Sequence, residues 1–257
     1  MPSISVLTVT FNAVLYLPKL IESLRNQVDS DFEWIVIDNA SNDGTVQLLN
    51  ESRDVVTHWL SEPDFGIYDA MNKGIKIASG NYYLVCGADD QLYPNAIADF
   101  RLAALNTNAD IISAVVQTTE GLVRPFPKMS WLRGHSAYIS HHSVGALIRR
   151  SLHERFGFYS HRFPIAADQF FIIKVCREQD VLVKNEEFVS GCYAISGISS
   201  TDLVGTMTEL FRIQLEMSRF PSFQILLFVL RVIRYSPAIV RQYRAKSSIA
   251  CVCSVGP

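Results

Sequence analysis

Two adjacent carboxylates, Asp89 and Asp90, stand where a predicted strand ends. The apolar run Tyr82–Cys86 precedes them and is followed by Gly87, a pattern typical of a buried strand. Charges side by side at a strand end are costly unless a cation or water meets them. Because ligands in open α/β sheets bind outside the carboxyl ends of the strands, the pair favours a divalent metal that holds a diphosphate. An isolated pair would more often be a solvated acidic turn, so the interpretation depends on the rest of the chain.

Polar side chains also follow the earlier predicted strands, which are Ile4–Thr10, Phe32–Asp38 and Val55–Leu60. Strands alternate with predicted helices over short links, which implies right-handed crossovers and a parallel sheet. The polar side chains at the strand ends therefore share one edge. They are Thr10, Asn12, Asp38, Asp64, Asp89 and Asp90. Several carboxylates on one edge of one sheet indicate a binding site.

The loop after the first strand excludes two common nucleotide sites. Its residues Thr10–Ala13 contain no glycine, so the Gly-x-Gly-x-x-Gly pattern of dinucleotide-binding Rossmann domains is absent. A Walker-type phosphate loop is absent as well. An acidic site that holds a diphosphate without a glycine loop needs a metal, and Mg²⁺ or Mn²⁺ suits carboxylate oxygens.

The remaining segments extend the α/β pattern. Helical spacing of apolar residues predicts helices that end near Gln27, Leu49, Ala78, Leu105 and Cys176. Gly121–Tyr138 contains two prolines and is predicted as a long loop or β-ribbon. Ala109–Thr118 is predicted as a strand and Val181–Val183 as a short one.

The overall composition suits one α/β domain, or one domain with an appendage. The chain has 257 residues, of which 49% are hydrophobic, and a net charge of −2 that gives no basic signature for nucleic acid. Its five cysteines are scattered without metal-binding spacing, which indicates a reducing compartment. The N-terminus shows no signal-peptide pattern, and no uninterrupted apolar run reaches the roughly 18–20 residues that span a bilayer.

Charge is divided unevenly along the chain. After Glu216 there are no acidic residues and six basic ones, which leaves −8 for the first 216 residues. Residues 201–219 are predicted as a packed helix, and the apolar run Phe223–Leu230 is followed by a basic segment that we expect Pro237 to break. This tail could cover the main domain or lie as an interfacial helix on an anionic leaflet.

Three runs in this order resemble the inverting family 2 glycosyltransferases with a GT-A fold. They are Ser5–Asn12, Trp34–Thr45 and Ser61–Gly74. The resemblance extends from about Ser3 to Ser199 and is greatest to bacterial enzymes of exopolysaccharide, O-antigen and colanic-acid-type assembly. It implies a Rossmann-like, mostly parallel sheet flanked by helices, followed by a helical C-terminal extension. The implied organisation is a GT-A domain over 1–200, with a nucleotide-sugar half (1–118) and an acceptor half (119–200), and an extension over 201–257.

The resemblance assigns the donor side to the first half. Thr10 matches the residue whose backbone lies against the nucleotide base, with Asn12 nearby, and Asp38 matches the carboxylate that reads the base, usually uracil. The segment that helps to hold the nucleotide contains Asp64, Asp69 and Lys73, with Lys73 a candidate phosphate contact. A surface pair at i and i+4 is the alternative for Asp69 and Lys73.

The same resemblance makes Asp89 and Asp90 the metal site, with Asp89 also contacting the sugar-nucleotide, and implies Mn²⁺ or Mg²⁺. Many members place a further Asp where this chain has Gly87. Other members lack that Asp too, so the departure does not predict inactivity. Which of the two aspartates touches the metal stays open.

The acceptor side falls in the second half. Asp168, in the run Phe163–Gln169, resembles the family's catalytic base, although as an isolated residue it would be read as the N-cap of the next helix. His141 and His142 resemble a stretch near the acceptor or metal, with a structural pair of histidines as the alternative. Ser196 and Gly197 resemble an element that closes over the site.

These features together predict a metal-dependent glycosyltransferase. It would move a sugar from a nucleotide-diphosphate donor, expected to be UDP-linked, to a glycan or lipid-linked acceptor in surface polysaccharide synthesis. The predicted location is the cytoplasm, with peripheral contact at the cytoplasmic face of the inner membrane and no nucleic-acid partner. A non-catalytic nucleotide-sugar-binding subunit is the alternative. A nucleotidyltransferase is disfavoured because the first loop is neither glycine-rich nor basic.

Overall fold

A computed structural model describes residues 3–126, 129–140, 142–193, 201–218 and 220–253, with side chains described as far as residue 244. The chain divides into two compact units, Met1–Ala194 and Ile195–Pro257. Each unit is treated by itself below.

The first unit is built on a mixed sheet. In the part of the chain that the structure describes, the sheet has nine strands in the order β3-β2-β1-β4-β8-β6-β9-β5, with β7 paired to β6. The strands are β1 Ile4–Thr10, β2 Phe32–Asp38, β3 His58–Ser61, β4 Tyr82–Val85, β5 Gln91–Leu92, β6 Ile111–Thr118, β7 Gly121–Val123, β8 Ala146–Arg149 and β9 Val183–Cys192.

Helices lie between these strands. They are α1 Leu17–Arg25, α2 Thr45–Glu51, α3 Ile67–Ile77, α4 Ala96–Thr107, α5 Ser130–Arg133, α6 Leu152–Phe156 and α7 Ala167–Val175. The apolar stripe of α1 shows how they pack, because Leu17, Leu20, Ile21 and Leu24 recur at helical spacing and all are buried. Strands β1, β2 and β4 are almost fully buried, as expected for a sheet covered on both faces. The predicted α/β class is confirmed.

The first half of the sheet is parallel and aligns its strand ends. β1 pairs in parallel with both β2 and β4, and β2 pairs in parallel with β3. The register places Thr10 opposite Asp38, and Asp38 opposite Ser61. The predicted polar edge therefore lies at the carboxyl ends of these strands.

The second half departs from the predicted pattern. β8 runs antiparallel to both β4 and β6, so the sheet is mixed there. The short strand predicted at Val181–Val183 is wrong in length, because β9 has 10 residues and pairs in parallel with β6. Its polar residues Lys184 to Glu187 hide it in the sequence, and pairing with β6 outweighs their low strand propensity. Gly121–Tyr138 contains β7, α5 and a 3-10 turn, Gly134–Ala137.

The described residues of the second unit include two helices, α8 Leu203–Met217 and α9 Pro221–Cys253. The predicted break at Pro237 is wrong, because α9 continues through it. A helical proline cannot donate to the carbonyl four residues earlier, which here belongs to Ile233. The Ser236 hydroxyl donates to that carbonyl instead, at 2.8 Å. The carbonyl oxygen of Ile233 therefore still accepts a hydrogen bond.

Part of α9 meets the length and composition of a membrane span. Pro221–Arg244 has 24 residues and contains an 18-residue window with a mean hydropathy of 1.6. The sequence analysis did not predict a span in this segment, because isolated arginines interrupt its apolar run.

Candidate active site

Asp38 ties together the ends of three parallel strands. Its carboxylate is fully buried and accepts hydrogen bonds from Thr10 Oγ1 (2.8 Å) and Ser61 Oγ (2.6 Å). It also accepts from the backbone N–H of Ser41 (2.9 Å) and from Ser41 Oγ (2.5 Å). The contact predicted between Asp38 and the donor base stays a prediction. The hydrogen bonds observed here show that Asp38 stabilises the loop that follows β2.

Asn12 connects the loop after β1 to the loop after β2. Its backbone N–H donates to Ser41 Oγ (2.8 Å), and its side-chain Oδ1 accepts from the N–H of Asn42 (3.1 Å). Asn12 and Ala40 both have positive φ angles, 50° and 47°. Asn tolerates this conformation better than most residues because its short polar side chain can bond locally. The first wall of the site is therefore two mutually bonded loops.

Asp64 and Asp69 fold the segment after β3. Asp64 Oδ1 accepts from the N–H of Gly66 (2.8 Å), and Asp69 Oδ2 accepts from the N–H of Phe65 (3.2 Å). Both carboxylates thus bond the backbone of the turn that leads into α3, which begins at Ile67. Their predicted contact with the nucleotide is untested.

Lys73 bonds within the same segment. Its Nζ lies 2.7 Å from Glu62 Oε1, 3.0 Å from the carbonyl of Pro63 and 3.7 Å from Asp69 Oδ2. The hydrogen bond to Glu62 raises the pKa of Lys73. The alternative pair at i and i+4 is therefore present, although Glu62 is the nearer partner. A phosphate contact by Lys73 stays a prediction.

Asp89 and Asp90 converge beside Gly87. Asp90 is buried, with 1% of its surface exposed, and its Oδ2 accepts from the N–H of Gly87 (2.7 Å). A Cβ atom at position 87 would lie 2.9 Å from Asp90 Oδ2 and 3.1 Å from Asp89 Oδ1. One oxygen from each carboxylate thus approaches the same point. A side chain at position 87 would therefore displace one or both of these carboxylates.

His142 stands next to this pair. Its Nδ1 lies 3.8 Å from Asp90 Oδ2, and its ring stacks on Tyr193 with centroids 4.0 Å apart. Burial lowers the pKa of His142 to about 4, although Asp89 acts in the opposite direction. The imidazole is therefore neutral at neutral pH, which is the form that binds metals.

The turn that holds Tyr193 in place depends on a close backbone approach. β5 follows Asp90 directly and pairs with the end of β9, with Leu92 opposite Gly191. A Cβ atom on Gly191 would overlap the carbonyl oxygen of Gln91, so only glycine fits there. The end of β9 is thereby held against the acidic loop.

The chemistry of Asp89, Asp90 and His142 fits Mn²⁺ or Mg²⁺, which prefer oxygen ligands, with Mn²⁺ also accepting imidazole. Among residues 3–126, 129–140, 142–193 and the described part of the tail, no three His, Cys, Asp or Glu side chains form a closed metal cluster. These three side chains are the ones that could hold the ion, with the diphosphate supplying further oxygens.

Asp168 lies in the first turn of α7 and is bonded by Tyr68. α7 begins at Ala167 after the N-cap residue Ala166, so the prediction that Asp168 is the N-cap is wrong. Asp168 Oδ1 accepts a 2.6 Å hydrogen bond from Tyr68 Oη, which also lies 2.9 Å from the carbonyl of Ile165. Burial and the nearby Asp168 charge raise the pKa of Tyr68, so its phenol stays protonated.

A small cavity joins Asp168 to the carboxyl end of β4. Its volume is about 20 Å³, and its walls include Val85, Ser143, Asp168 and Gln169. Gln169 Oε1 is buried and, within the described residues, has no hydrogen-bond partner. Asp168 therefore shares a cavity with Val85, the last residue of the strand that leads to Asp89 and Asp90.

The sequence pattern of Glycosyl transferase family 2 matches residues 5–176. The chain belongs to this family. It is 28% identical over 214 residues to a PGL/p-HBAD biosynthesis glycosyltransferase of Mycobacterium tuberculosis (strain ATCC 25177 / H37Ra), covering 78% of this chain and 80% of that relative. The family predicted from the three sequence runs is confirmed.

Solved structures share the fold of this family 2 glycosyltransferase. S. aureus TarS matches with a TM-score of 0.65 and 19% identity, over 90% of this chain and 43% of TarS. A TarS 1–349 structure in complex with UDP-GlcNAc matches with a TM-score of 0.62 and 18% identity, over 91% of this chain and 72% of that one. A mannosyltransferase from Pyrobaculum calidifontis, in complex with GDP-Man and Mn²⁺, matches with a TM-score of 0.64 and 17% identity, over 100% and 76%. The predicted GT-A fold is confirmed.

A wider cleft opens on the other side of Tyr68. Its volume is about 520 Å³, and it lies between the start of α3 and the segment before α7. The lining residues are Phe65, Gly66, Ile67, Tyr68, Asp69, Ser160, His161 and Pro164. In this glycosyltransferase the cleft therefore reaches the residue that bonds Asp168.

Three predicted acceptor residues, His141, Ser196 and Gly197, lie outside the described residues. Sequence reasoning missed Ser41, Ser61 and Tyr68, which bond Asp38 and Asp168. All three residues lie within the runs that resemble the family: Ser61 and Tyr68 in Ser61–Gly74, and Ser41 in Trp34–Thr45. The sequence did not show which side chains they bond.

Proposed function

We propose that this family 2 glycosyltransferase is an inverting, metal-dependent enzyme that moves a sugar from a UDP-linked donor to a hydroxyl of a glycan or lipid-linked acceptor in surface polysaccharide synthesis. One observation carries the proposal. The carboxylates of Asp89 and Asp90 and the carboxylate of Asp168 come from opposite halves of the domain, yet both adjoin the carboxyl end of β4. A donor site and a catalytic base need that proximity.

The donor assignment rests on loops and relatives. The paired loops after β1 and β2 offer backbone and Asn groups at the edge where nucleotides bind in α/β sheets. TarS was crystallised with UDP-GlcNAc and the Pyrobaculum mannosyltransferase with GDP-Man and Mn²⁺. A uridine base would suit the carboxylate chemistry of the Asp38 loop.

Asp89, Asp90 and His142 would hold the metal beside the diphosphate. A Mn²⁺ or Mg²⁺ ion bound there would offset the negative charge that develops on the leaving nucleoside diphosphate. Burial keeps the imidazole of His142 neutral, which is the form that binds a cation.

Asp168 would act as the general base. It takes the proton from the acceptor hydroxyl while that oxygen attacks the anomeric carbon from the face opposite the phosphate. One displacement of this kind inverts the anomeric configuration. Tyr68 donates to Asp168 Oδ1, and this hydrogen bond orients the carboxylate. General-base assistance is typically worth about 10²–10⁴ in rate.

The acceptor would occupy the cleft beside Tyr68. Phe65 is 92% exposed at its rim, and Ile67 and Pro164 add apolar surface. An exposed aromatic ring on a loop suits the apolar face of a sugar ring. The Ser160 and His161 side chains provide polar partners for its hydroxyls.

Replacement of the base tests the proposal. Asp168→Asn should lower turnover by at least about a hundredfold and leave donor affinity near wild type, because the amide cannot accept the proton. Turnover is measured with a panel of nucleotide sugars and Mn²⁺, and donor affinity by thermal shift. Asp180→Asn is the matched control, since Asp180 is 62% exposed and pairs with Arg155 at the surface. Equal turnover in Asp168→Asn and wild type would remove the catalytic role. Donor binding by wild type without transfer or hydrolysis would favour a non-catalytic subunit.

A further inference from the structure

The long helix α9 presents an apolar surface to solvent. Six of its residues share this surface between positions 223 and 233, with exposed fractions of 41% to 64%. They are Phe223, Ile225, Leu226, Val229, Leu230 and Ile233. Val240 and Tyr243 continue the same side of the helix, and both are about half exposed. We call these eight residues the α9 apolar face. Contiguous exposed apolar surface of this kind marks an interaction site.

The opposite side of α9 packs on α8, partly through polar groups. Arg231 Nη1 donates to Gln214 Oε1 (2.7 Å), and Gln242 Nε2 donates to the carbonyl of Thr201 (2.6 Å). Phe228 stacks on Phe211 of α8 with ring centroids 4.2 Å apart. Polar side chains thus face the partner helix, whereas most of the aliphatic ones face outward. A helix of a soluble domain normally shows the reverse distribution.

Positive charge borders the apolar face. Arg234 and Arg241 are seven residues apart and so lie on one side of the helix, and Arg244 follows one turn later. No Asp or Glu occurs anywhere after Glu216. A second copy of this helix would bring the same positive charge without an acidic partner. The charge pattern therefore matches an anionic surface better than another copy of the chain.

We propose that the α9 apolar face binds the surface of a lipid bilayer that contains anionic lipids, with α9 lying in the plane of the interface. A spanning arrangement is disfavoured, because Arg231 and Arg234 fall in the middle of the 24-residue segment Pro221–Arg244. An arginine at the centre of a spanning helix costs about 2.5–3.5 kcal/mol on the insertion scale. In the interfacial arrangement the aliphatic side chains enter the acyl boundary and the arginines reach the headgroups. This proposal does not depend on the catalytic assignment.

Vesicle flotation of the full-length chain tests the proposal. Phosphatidylcholine vesicles are compared with vesicles that also contain phosphatidylglycerol, at low and high salt. We expect binding to the anionic vesicles at low salt and weaker binding at high salt, because salt screens the contribution of the arginines. Absence of binding to anionic vesicles at low salt, or equal binding to neutral ones, overturns the proposal.

Paired variants test the face itself. Leu226→Asp with Ile233→Asp should abolish flotation, whereas Leu102→Asp with Leu105→Asp on α4 should not. The two pairs are exposed to a similar degree: Leu226 and Ile233 by 53% and 64%, and Leu102 and Leu105 by 56% and 57%. Thermal unfolding checks that each variant is folded. Arg234→Gln with Arg241→Gln should weaken binding about thirtyfold, from about 1 kcal/mol for each arginine, whereas Lys19→Gln with Arg53→Gln should leave it unchanged.

Three further results would count against the proposal. Equal flotation of both leucine pairs would show that the α9 apolar face is not the contact. Loss of a dimer in Leu226→Asp with Ile233→Asp, seen by sedimentation without any vesicle binding in wild type, would assign the face to a second copy. Resistance of the bound protein to alkaline carbonate extraction would indicate a spanning helix.

Discussion

Tyr68 Oη donates a 2.6 Å hydrogen bond to Asp168 Oδ1 across a sequence separation of 100 residues. Tyr68 lies in the first turn of α3, directly after the donor-side loop, and Asp168 lies in the first turn of α7. The bond therefore joins the two halves of the domain at the proposed base. It also restricts the orientation of the Asp168 carboxylate.

Removal of this phenol should slow the chemical step. A hydrogen bond to a charged group is worth about 1.5–3 kcal/mol, so Tyr68→Phe should lower kcat by about tenfold or more, with the donor KM unchanged. In an Asp168→Asn background the same replacement should add little, because the two side chains act together. The two single variants and the double variant are compared by steady-state kinetics. Fully additive effects would show that Tyr68 acts without Asp168.

Asp38 should contribute more to stability than an exposed aspartate does. Asp38→Asn replaces one acceptor oxygen in a buried, four-bonded carboxylate with a donor, and should lower the free energy of unfolding by about 1–3 kcal/mol. Asp54→Asn is the control, since Asp54 is 56% exposed and its surface pair with Arg25 should contribute little to stability. Urea denaturation measures both. Equal losses of unfolding free energy in the two variants would contradict a stabilising role of Asp38 at the strand ends.

A methyl group at position 87 should disturb the metal site. Gly87→Ala places a Cβ 2.9 Å from Asp90 Oδ2, so that carboxylate must move. Displaced ligand-orienting contacts typically cost about 10–100-fold in metal affinity, which a Mn²⁺ titration of the thermal midpoint would detect. In Gly74→Ala, the control, the new Cβ meets Ile37 at an ordinary 3.5 Å, and Mn²⁺ affinity should not change. The same Mn²⁺ affinity in both variants would place the ion elsewhere.

His153 should make the fold sensitive to acid. It is buried, with Nε2 2.7 Å from Tyr83 Oη and Nδ1 3.1 Å from the carbonyl of Gly157, and burial lowers its pKa from 6.5 to about 4. The unfolded chain therefore takes up this proton first, and stability should fall as the pH drops from 6.5 towards 4. From pH 7 to pH 5 the loss from His153 is about 2 kcal/mol.

Comparison with His153→Gln isolates this contribution. Glutamine can still bond Tyr83 and Gly157 but does not titrate, so its loss of stability between pH 7 and pH 5 should be about 2 kcal/mol smaller than in wild type. Urea denaturation at the two pH values provides the measurement. Identical pH dependence in both proteins would show that the pKa of His153 does not differ between the folded and unfolded states.

The sequence predicted the first half of the sheet closely. β1 and β2 begin and end where the pattern predicted, because each is a run of β-branched and apolar residues followed by turn residues. β9 was mostly missed, since its central residues Lys184 to Glu187 are polar. Its position depends on pairing with β6, and such tertiary pairing is not visible in local sequence.

The same limit applies to the site. The edge that carries Asp38, Asp64, Asp89 and Asp90 followed from strand order alone. The partners Ser61 and Tyr68 could not be predicted, because their contacts depend on strand register and on a helix 100 residues away. The orientation of β8 was missed for a similar reason, since a short apolar run does not show the direction in which it pairs.

Because β8 runs against β4, its first residue and not its last adjoins the catalytic edge. Ser143 and His142 therefore arrive at that edge from the segment that precedes the strand. Insertions or deletions at the mostly exposed helix Ser130–Arg133 would change the length of a surface segment without changing any strand register. Such changes could alter the proposed acceptor half of this domain during evolution without changing the structure of the proposed sugar-nucleotide half.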